Sequence, residues 1–210
     1  SRVLADLGAE VSKVESPRYR DPFRVWPGDD PAASPFYRSN NRGKRAIRID
    51  LKHAEGREAL LRLVAASDVV LENFRRGVLD RLGLDVAALR AANPHIILLS
   101  ISSQGVTGPD AGQISFGSTL EAVGGLAWLT GYAGGKPVVS RRELNYPDQV
   151  VALFAAGAVR AAWRQRRRQG TGAVLDVCQR ELTSYMLGEA FLAGAAAEGR
   201  QGNADGLAAL

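Results

Sequence analysis

The sequence has 210 residues, 46% of them hydrophobic and 23% charged, the balance of a soluble globular chain with a substantial core. Its net charge of +5 is spread along the chain apart from one dense run, "RQRRRQG" at Arg164 to Gly170, and aromatic residues do not alternate with the basic ones, which argues against a nucleic-acid partner. No window approaches about 18 uninterrupted apolar residues and the first residues lack a secretory pattern, so neither a membrane span nor export is expected, and the single cysteine suits a reducing cytoplasm.

In chain order, "VLADLGA" reads as the end of a helix and "EVSKVE" (Glu10 to Glu15) as a short strand. "RAIRID" (Arg45 to Asp50) is a second strand, with Ala46, Ile47 and Ile49 apolar. The amphipathic helix "AEGREALLRLVAAS" follows, with Leu60, Leu61 and Val64 on one face. "DVVLENF" is a strand that enters a loop at Glu72. Asp85 has the place of an N-cap for "VAALRAAN", and Asn93-Pro94 closes that helix. "HIILLSIS" is a strand whose Ile96 to Leu99 run predicts burial on both faces. After Pro109 comes a glycine-rich stretch, "FGSTLEAVGGLAWLTGYAGGKP", suited to close helix packing or to mobile loops. A long apolar helix is expected from Gln149 to about Arg168, then the strand "AVLDVC", one last helix "ELTSYMLGEAFLAGAA", and a loop-like "EGRQGNADGLAAL".

Strands alternating with helices predict an α/β fold, a Rossmann-like parallel sheet with flanking helices. Ligands of such sheets bind beyond the carboxyl ends of the strands. Those ends carry "ESPR" (15–18), "DLK" (50–52), "ENFRRG" (72–77) and "SSQGVTGP" (102–109), and their cations and amide donors suit an anionic ligand. Neither G-x-G-x-x-G after a strand nor G-x-x-x-x-G-K-[ST] is present. His53 and His95 have no metal-ligand spacing, no cysteine pair accompanies them, and no metal is expected. Cys178 lies in an apolar run and reads as a buried inert thiol. Carboxylates remain as the reactive groups. Asp148 precedes the long apolar helix, where it reads as an N-cap, and an anion there is favoured by unpaired N–H groups and the helix dipole. An ionised, oriented carboxylate in that place can also act as a nucleophile.

The segments "LADLGAEVSKVE", "NNRGKRAIRIDLK", "DVVLENFRRGVLDRLGL" and "NPHIILLSISSQGVTGP" occur in the order and spacing of the class III CoA-transferases, which the chain resembles over nearly its whole length. That family includes formyl-CoA and carnitine CoA-transferases and the α-methylacyl-CoA racemases. The resemblance implies that Asp148 is the nucleophile, because Arg166 and Gly170 follow it at the family's distances. Ala152 and "QGTGAV" depart from the family pattern without touching the carboxylate. It implies that Lys52, Asn73, Phe74 and Arg81 contact coenzyme A, with Arg18 standing in for an arginine at the place of Ser16. The substrates implied are an acyl-CoA and an acceptor carboxylic acid. The intermediates implied are a mixed anhydride and an aspartyl-CoA thioester, with Gly134-Gly135 as a candidate lid.

The racemase branch uses a histidine where this chain has Phe116, so transferase chemistry is favoured over isomerase chemistry. The family forms interlocked, ring-like homodimers. Its members are roughly twice as long as this chain. Residues 1–210 are therefore expected to be part of a large domain, lacking its first strand and a downstream small domain. A non-catalytic CoA-binding fragment is the other reading of such a chain.

Overall fold

The computed structural model describes residues 1–24, 34–132, 134–140 and 144–198. The chain divides into two compact units, one of Ser1–Ser100 with Ala152–Leu175, the other of Ile101–Val151 with the residues from Asp176 on.

The first unit opens with the short helix α1 (Arg2–Asp6), followed by strand β1 (Val11–Glu15). Helix α2 (Pro35–Asn41) is capped by Ser34, whose hydroxyl accepts from the Tyr37 N–H at 3.3 Å, and has proline in its first turn. Strand β2 (Lys44–Arg48) then pairs in parallel with β1, Val11 opposite Lys44 and Glu15 opposite Arg48. β2 stops two residues before the expected Asp50. The Asp50 carbonyl instead accepts from the His53 N–H and its carboxylate from the Lys52 N–H, which turns the chain into α3 (Ala54–Ala65).

Strand β3 (Val69–Glu72), helices α4 (Val78–Arg81) and α5 (Val86–Ala92), and strand β4 (Ile97–Ser102) follow. Asp85 caps α5 as expected, its carboxylate accepting from the Ala88 N–H at 2.8 Å. β3 and β4 are parallel, Val69 opposite Ile97, and β5 (Ala173–Cys178) completes the order β3-β4-β5. Ile96, Ile97, Leu98 and Leu99 are all buried, as a strand covered on both faces requires. Val64 and Leu89 pack with Ile96 and Leu98, and Leu60, Leu61, Val70 and Val86 cover that cluster. Each such side chain contributes about 1.5–3 kcal/mol on leaving water. The α/β class with parallel pairing and flanking helices is therefore the observed one.

The long helix α8 (Tyr146–Gln169) begins three residues earlier than expected. Its buried stripe is Val150, Val151, Ala155, Ala156, Val159 and Ala162, whereas Leu153 and Phe154 are exposed. Arg166 in its last turn donates to the carbonyls of Asp68 and His95, each at 3.3 Å, and pairs with the Asp68 carboxylate. This member of the basic run thus fastens the helix end to the starts of β3 and β4.

In the second unit the glycine-rich stretch forms α6 (Gly117–Val123) and α7 (Leu126–Leu129). The last helix is two: α9 (Gln179–Tyr185) and α10 (Gly188–Glu198). The break lies at Met186 and Leu187, where the Leu187 N–H turns to the Ser184 carbonyl at 2.9 Å. The tail 199–210 lies outside the described residues.

The carboxyl end of β1 holds the densest polar network. The Glu15 carboxylate accepts two hydrogen bonds from Arg24, at 3.0 and 3.1 Å, one from the Tyr37 hydroxyl at 2.5 Å and one from Lys13 at 3.0 Å. The Arg24 guanidinium also stacks 3.8 Å from the Tyr37 ring centroid. Burial pushes the Glu15 carboxyl up, but the bonds from Arg24, Tyr37 and Lys13 outweigh it and bring the pKa down to about 2. A depressed carboxyl stabilises the fold above its unfolded pKa and loses that effect as pH falls toward the folded value. Glu15→Gln is expected to cost about 2–3 kcal/mol in urea denaturation at pH 7. The difference from wild type should shrink as pH falls from 4.5 to about 2.

Candidate active site

Asp148 is not the N-cap of its helix. It lies in the first turn of α8, and its own N–H donates to the Asn145 carbonyl at 3.0 Å. The residue that turns the chain into the helix is Asn145, whose φ of 44° is a left-handed conformation that asparagine tolerates better than other side-chain-bearing residues. That turn aims the Asn145 amide at the Asp148 carboxylate, and its Nδ2 donates to Oδ2. The second oxygen, Oδ1, accepts from Nε2 of Gln179 at 2.6 Å. Gln179 is the first residue of α9, is 6% exposed, and reaches Asp148 across 31 positions of sequence.

The supports behind these two amides are also specific. Gly117, at the start of α6, lies under the Asn145 side chain, and a Cβ there would collide with the amide. On the Gln179 side, the Thr183 hydroxyl donates to the Gln179 carbonyl at 2.8 Å, and Thr183 is itself packed on Gly124. The start of α8 is fixed by a relay. Glu121, 1% exposed, accepts from the N–H of Ser140 at 2.6 Å and from its hydroxyl, and the Ser140 hydroxyl accepts from the Tyr146 N–H at 3.2 Å. The β5–α9 junction is tied down by Arg180, which pairs with Asp110 at 2.8 Å and donates its N–H to the Ser103 carbonyl. Cys178 is buried as expected, and its burial pushes the thiol pKa up, away from nucleophilic reactivity.

Burial raises the Asp148 pKa above the ordinary aspartate value, and the bonds from Gln179 and Asn145 oppose that rise. The arrangement is a half-buried carboxylate with one neutral donor on each oxygen. Each oxygen keeps a lone pair for a second partner.

The other candidate residues fall on the strand-end loops of the first unit. Arg18, after β1, donates to the Asp50 carboxylate at 2.7 Å and contacts His53 at 2.9 Å. Lys52, after β2, donates to the Tyr19 hydroxyl at 3.1 Å and lies 5.0 Å from its ring centroid. These contacts bring Arg18 and Lys52 into one exposed cluster. Ser16, in the place the resemblance gives to arginine, accepts from the N–H groups of Arg18 and Tyr19 and so shapes that loop.

Asn73 and Phe74 are exposed on the loop after β3, with the Phe74 N–H on the Glu72 carboxylate at 2.7 Å, and exposed Arg81 closes α4. No hydrogen bond or ion pair among the described residues joins this group to the Arg18 and Lys52 cluster. Phe116 is 78% exposed at the start of α6. Gly134 and Gly135 lie in a turn, with the Gly135 N–H on the Tyr132 carbonyl at 2.8 Å. Among the described residues no group of three His, Cys, Asp or Glu is placed to hold a metal ion, and no helix is long and apolar enough to cross a membrane.

The pattern of the sequence pointed to Asp148 but not to its partners. "NYPD" carries a weak signal for Asn145, since asparagine tolerates a left-handed turn better than other side-chain-bearing residues. Nothing in "CQRE" marks Gln179, because its role exists only once β5 and α8 are packed. Replacing Asn145 by glycine keeps the φ of 44° available while removing one donor from Asp148. In a carbon-13 titration, the Asp148 carboxyl should titrate above the ordinary aspartate range and rise further in Asn145→Gly. An unchanged midpoint would show that the amide does not sustain the ionised form.

The sequence profile of CoA-transferase family III matches residues 1–209. The chain is 40% identical, over 84% of its length and 44% of the relative's, to a succinyl-CoA–D-citramalate CoA-transferase of Chloroflexus aurantiacus. It is 37% identical, over 82% of its length and 39% of the relative's, to the succinyl-CoA:glutarate CoA-transferase of Homo sapiens. Among solved structures, a CAIB/BAIF family protein from Brucella suis superposes with a TM-score of 0.84 at 34% identity, over 96% of this chain and 53% of that one. The chain spans less than half the length of these two curated relatives. With the family profile matched almost end to end and the fold shared with a family structure, the chain belongs to CoA-transferase family III.

Proposed function

We propose that this chain carries the nucleophile and the coenzyme-binding loops of an acyl-CoA:carboxylate CoA-transferase, with Asp148 as the nucleophile. The observation that carries the reading is the Asp148 carboxylate itself, half-buried at the start of α8 with one amide on each oxygen. Those donors favour the ionised form that a nucleophile needs, against a burial that opposes it.

The chemistry runs in four covalent steps. An Asp148 oxygen attacks the thioester carbonyl of the donor, forming a C–O bond, and the C–S bond breaks with its electron pair leaving on coenzyme A thiolate. The thiolate attacks Cγ of Asp148 in the resulting mixed anhydride, and the donor acid departs as a carboxylate that carries an oxygen from Asp148. The acceptor carboxylate attacks Cγ of the aspartyl-CoA thioester and expels the thiolate. The thiolate then attacks the acceptor's acyl carbon, leaving the new acyl-CoA and a regenerated Asp148 carboxylate, one of whose oxygens came from the acceptor.

Arg18, Lys52, Asn73, Phe74 and Arg81 would hold the coenzyme, the cations on its phosphates and the aromatic ring on its adenine or pantetheine. The substrates named for the two relatives, succinyl-CoA with D-citramalate or glutarate, support short dicarboxylic acids as donor and acceptor. An isomerase reading is disfavoured by Phe116, which offers no base. Exposed Trp128, Tyr132, Phe191 and Leu192 support a protein partner surface, in keeping with a homodimer. A cytoplasmic location agrees with a single buried thiol.

The test is mass spectrometry of the full-length protein mixed with succinyl-CoA. A coenzyme adduct should map to the peptide holding Asp148, and Asp148→Asn should remove it and lower turnover by about 10³-fold or more. With an acceptor labelled by oxygen-18 in both carboxylate positions, one heavy oxygen should remain on Asp148 after each transfer. An adduct that survives Asp148→Asn, or a label that never reaches Asp148, would sink the reading.

A further inference from the structure

The two oxygens of Asp148 are not equivalent, and the difference bears on which of the four steps each donor serves. Gln179 is 6% exposed and comes to Oδ1 from α9, whereas Asn145 is only half-buried and reaches Oδ2 within its own turn. With a substrate approaching from the Asn145 side, the less buried of the two, Oδ2 would form the bond to the acyl group and Oδ1 would remain the carbonyl oxygen of both the anhydride and the thioester. When a nucleophile adds to Cγ, the electron pair of that C=O bond moves onto Oδ1. The donor already in place on Oδ1 is the Gln179 amide, at 2.6 Å, in surroundings with little water to compete.

We propose, on the reading of Asp148 as nucleophile, that Gln179 is the oxyanion donor for the two steps at Cγ: thiolate attack on the mixed anhydride and acceptor attack on the aspartyl-CoA thioester. It has no such role in the first and last steps, where the charge develops on the oxygen of the substrate's acyl group. The rest of the structure keeps the amide in place for this. Thr183 donates to the Gln179 carbonyl, and Gly124 lets Thr183 pack closely enough to do so.

The experiment compares wild type, Gln179→Met, Gln179→Glu and Asp148→Asn in the full-length protein, with succinyl-CoA as donor and glutarate as acceptor. Gln179→Met keeps the length of the side chain and removes the donor. Its kcat should fall by about 10²–10³-fold, the loss typical of one oxyanion donor. Its first step should be slowed much less, only by the loss of one donor that favours the Asp148 anion. Mixed with succinyl-CoA alone, it should release coenzyme A thiol in a burst, seen with a thiol reagent, while the thioester adduct at Asp148 fails to accumulate. Hydrolysis of succinyl-CoA should then exceed transfer.

If Gln179 served only the packing of α9, anhydride formation and adduct formation would fall together with no burst, and the proposal would be overturned. Wild-type kcat and adduct formation in Gln179→Met would overturn it equally. Gln179→Glu supplies a pH readout should the methionine variant fold poorly: the introduced carboxyl donates only when protonated, so adduct formation should recover as pH is lowered. A flat profile would count against the oxyanion role. Retained transfer in Asp148→Asn would instead remove the reading beneath the proposal, so the two failures are distinguishable.

Discussion

Asp148 is held by amides, Asn145 on one oxygen and Gln179 on the other, and much of the second unit is arranged to keep those two donors in place. A partly buried carboxylate left alone would take up a proton and lose its nucleophilicity. A paired guanidinium would hold it charged but would also bind its electron pairs firmly. Neutral donors strike a middle course, since they favour the anion while leaving a lone pair on each oxygen. On the proposed role of Asp148, that requirement would account for otherwise separate features: a left-handed asparagine, a glycine beneath its side chain, and a threonine packed on another glycine behind Gln179.

The buried Glu121 belongs to the same logic at one remove. It draws the Ser140 backbone and hydroxyl to itself, and Ser140 in turn receives the first N–H of α8. A helix start left to fray would move Asp148 with it, because the carboxylate lies only two residues into the helix.

In the first unit, charge counted from composition overstates what is free to meet a ligand. Arg24 is committed to Glu15, Arg166 to Asp68 and two backbone carbonyls, and Arg18 shares Asp50 with the loop after β2. Arg18 is the informative case. It is exposed enough to reach a phosphate, yet it is already oriented by a carboxylate, so an incoming anion would meet a cation with its direction set. Lys52, resting on Tyr19, is arranged in a similar way by an aromatic face.

The sequence by itself determined the α/β class, because Ile96 to Leu99 and the 60, 61, 64 stripe carry their burial in local periodicity. It also determined the Asp85 cap, the buried Cys178 and, through long motifs, the family. It misjudged the start of α8 by three residues and joined α9 to α10, since a helix boundary depends on which tertiary partners claim its terminal groups. Only the tertiary structure decided that Asp148 is a first-turn residue served by Asn145 and Gln179. The physical reason is range. Periodicity reports what a residue does within its own element, whereas a hydrogen bond from Gln179 to Asp148 depends on β5 and α8 having already brought two distant segments together.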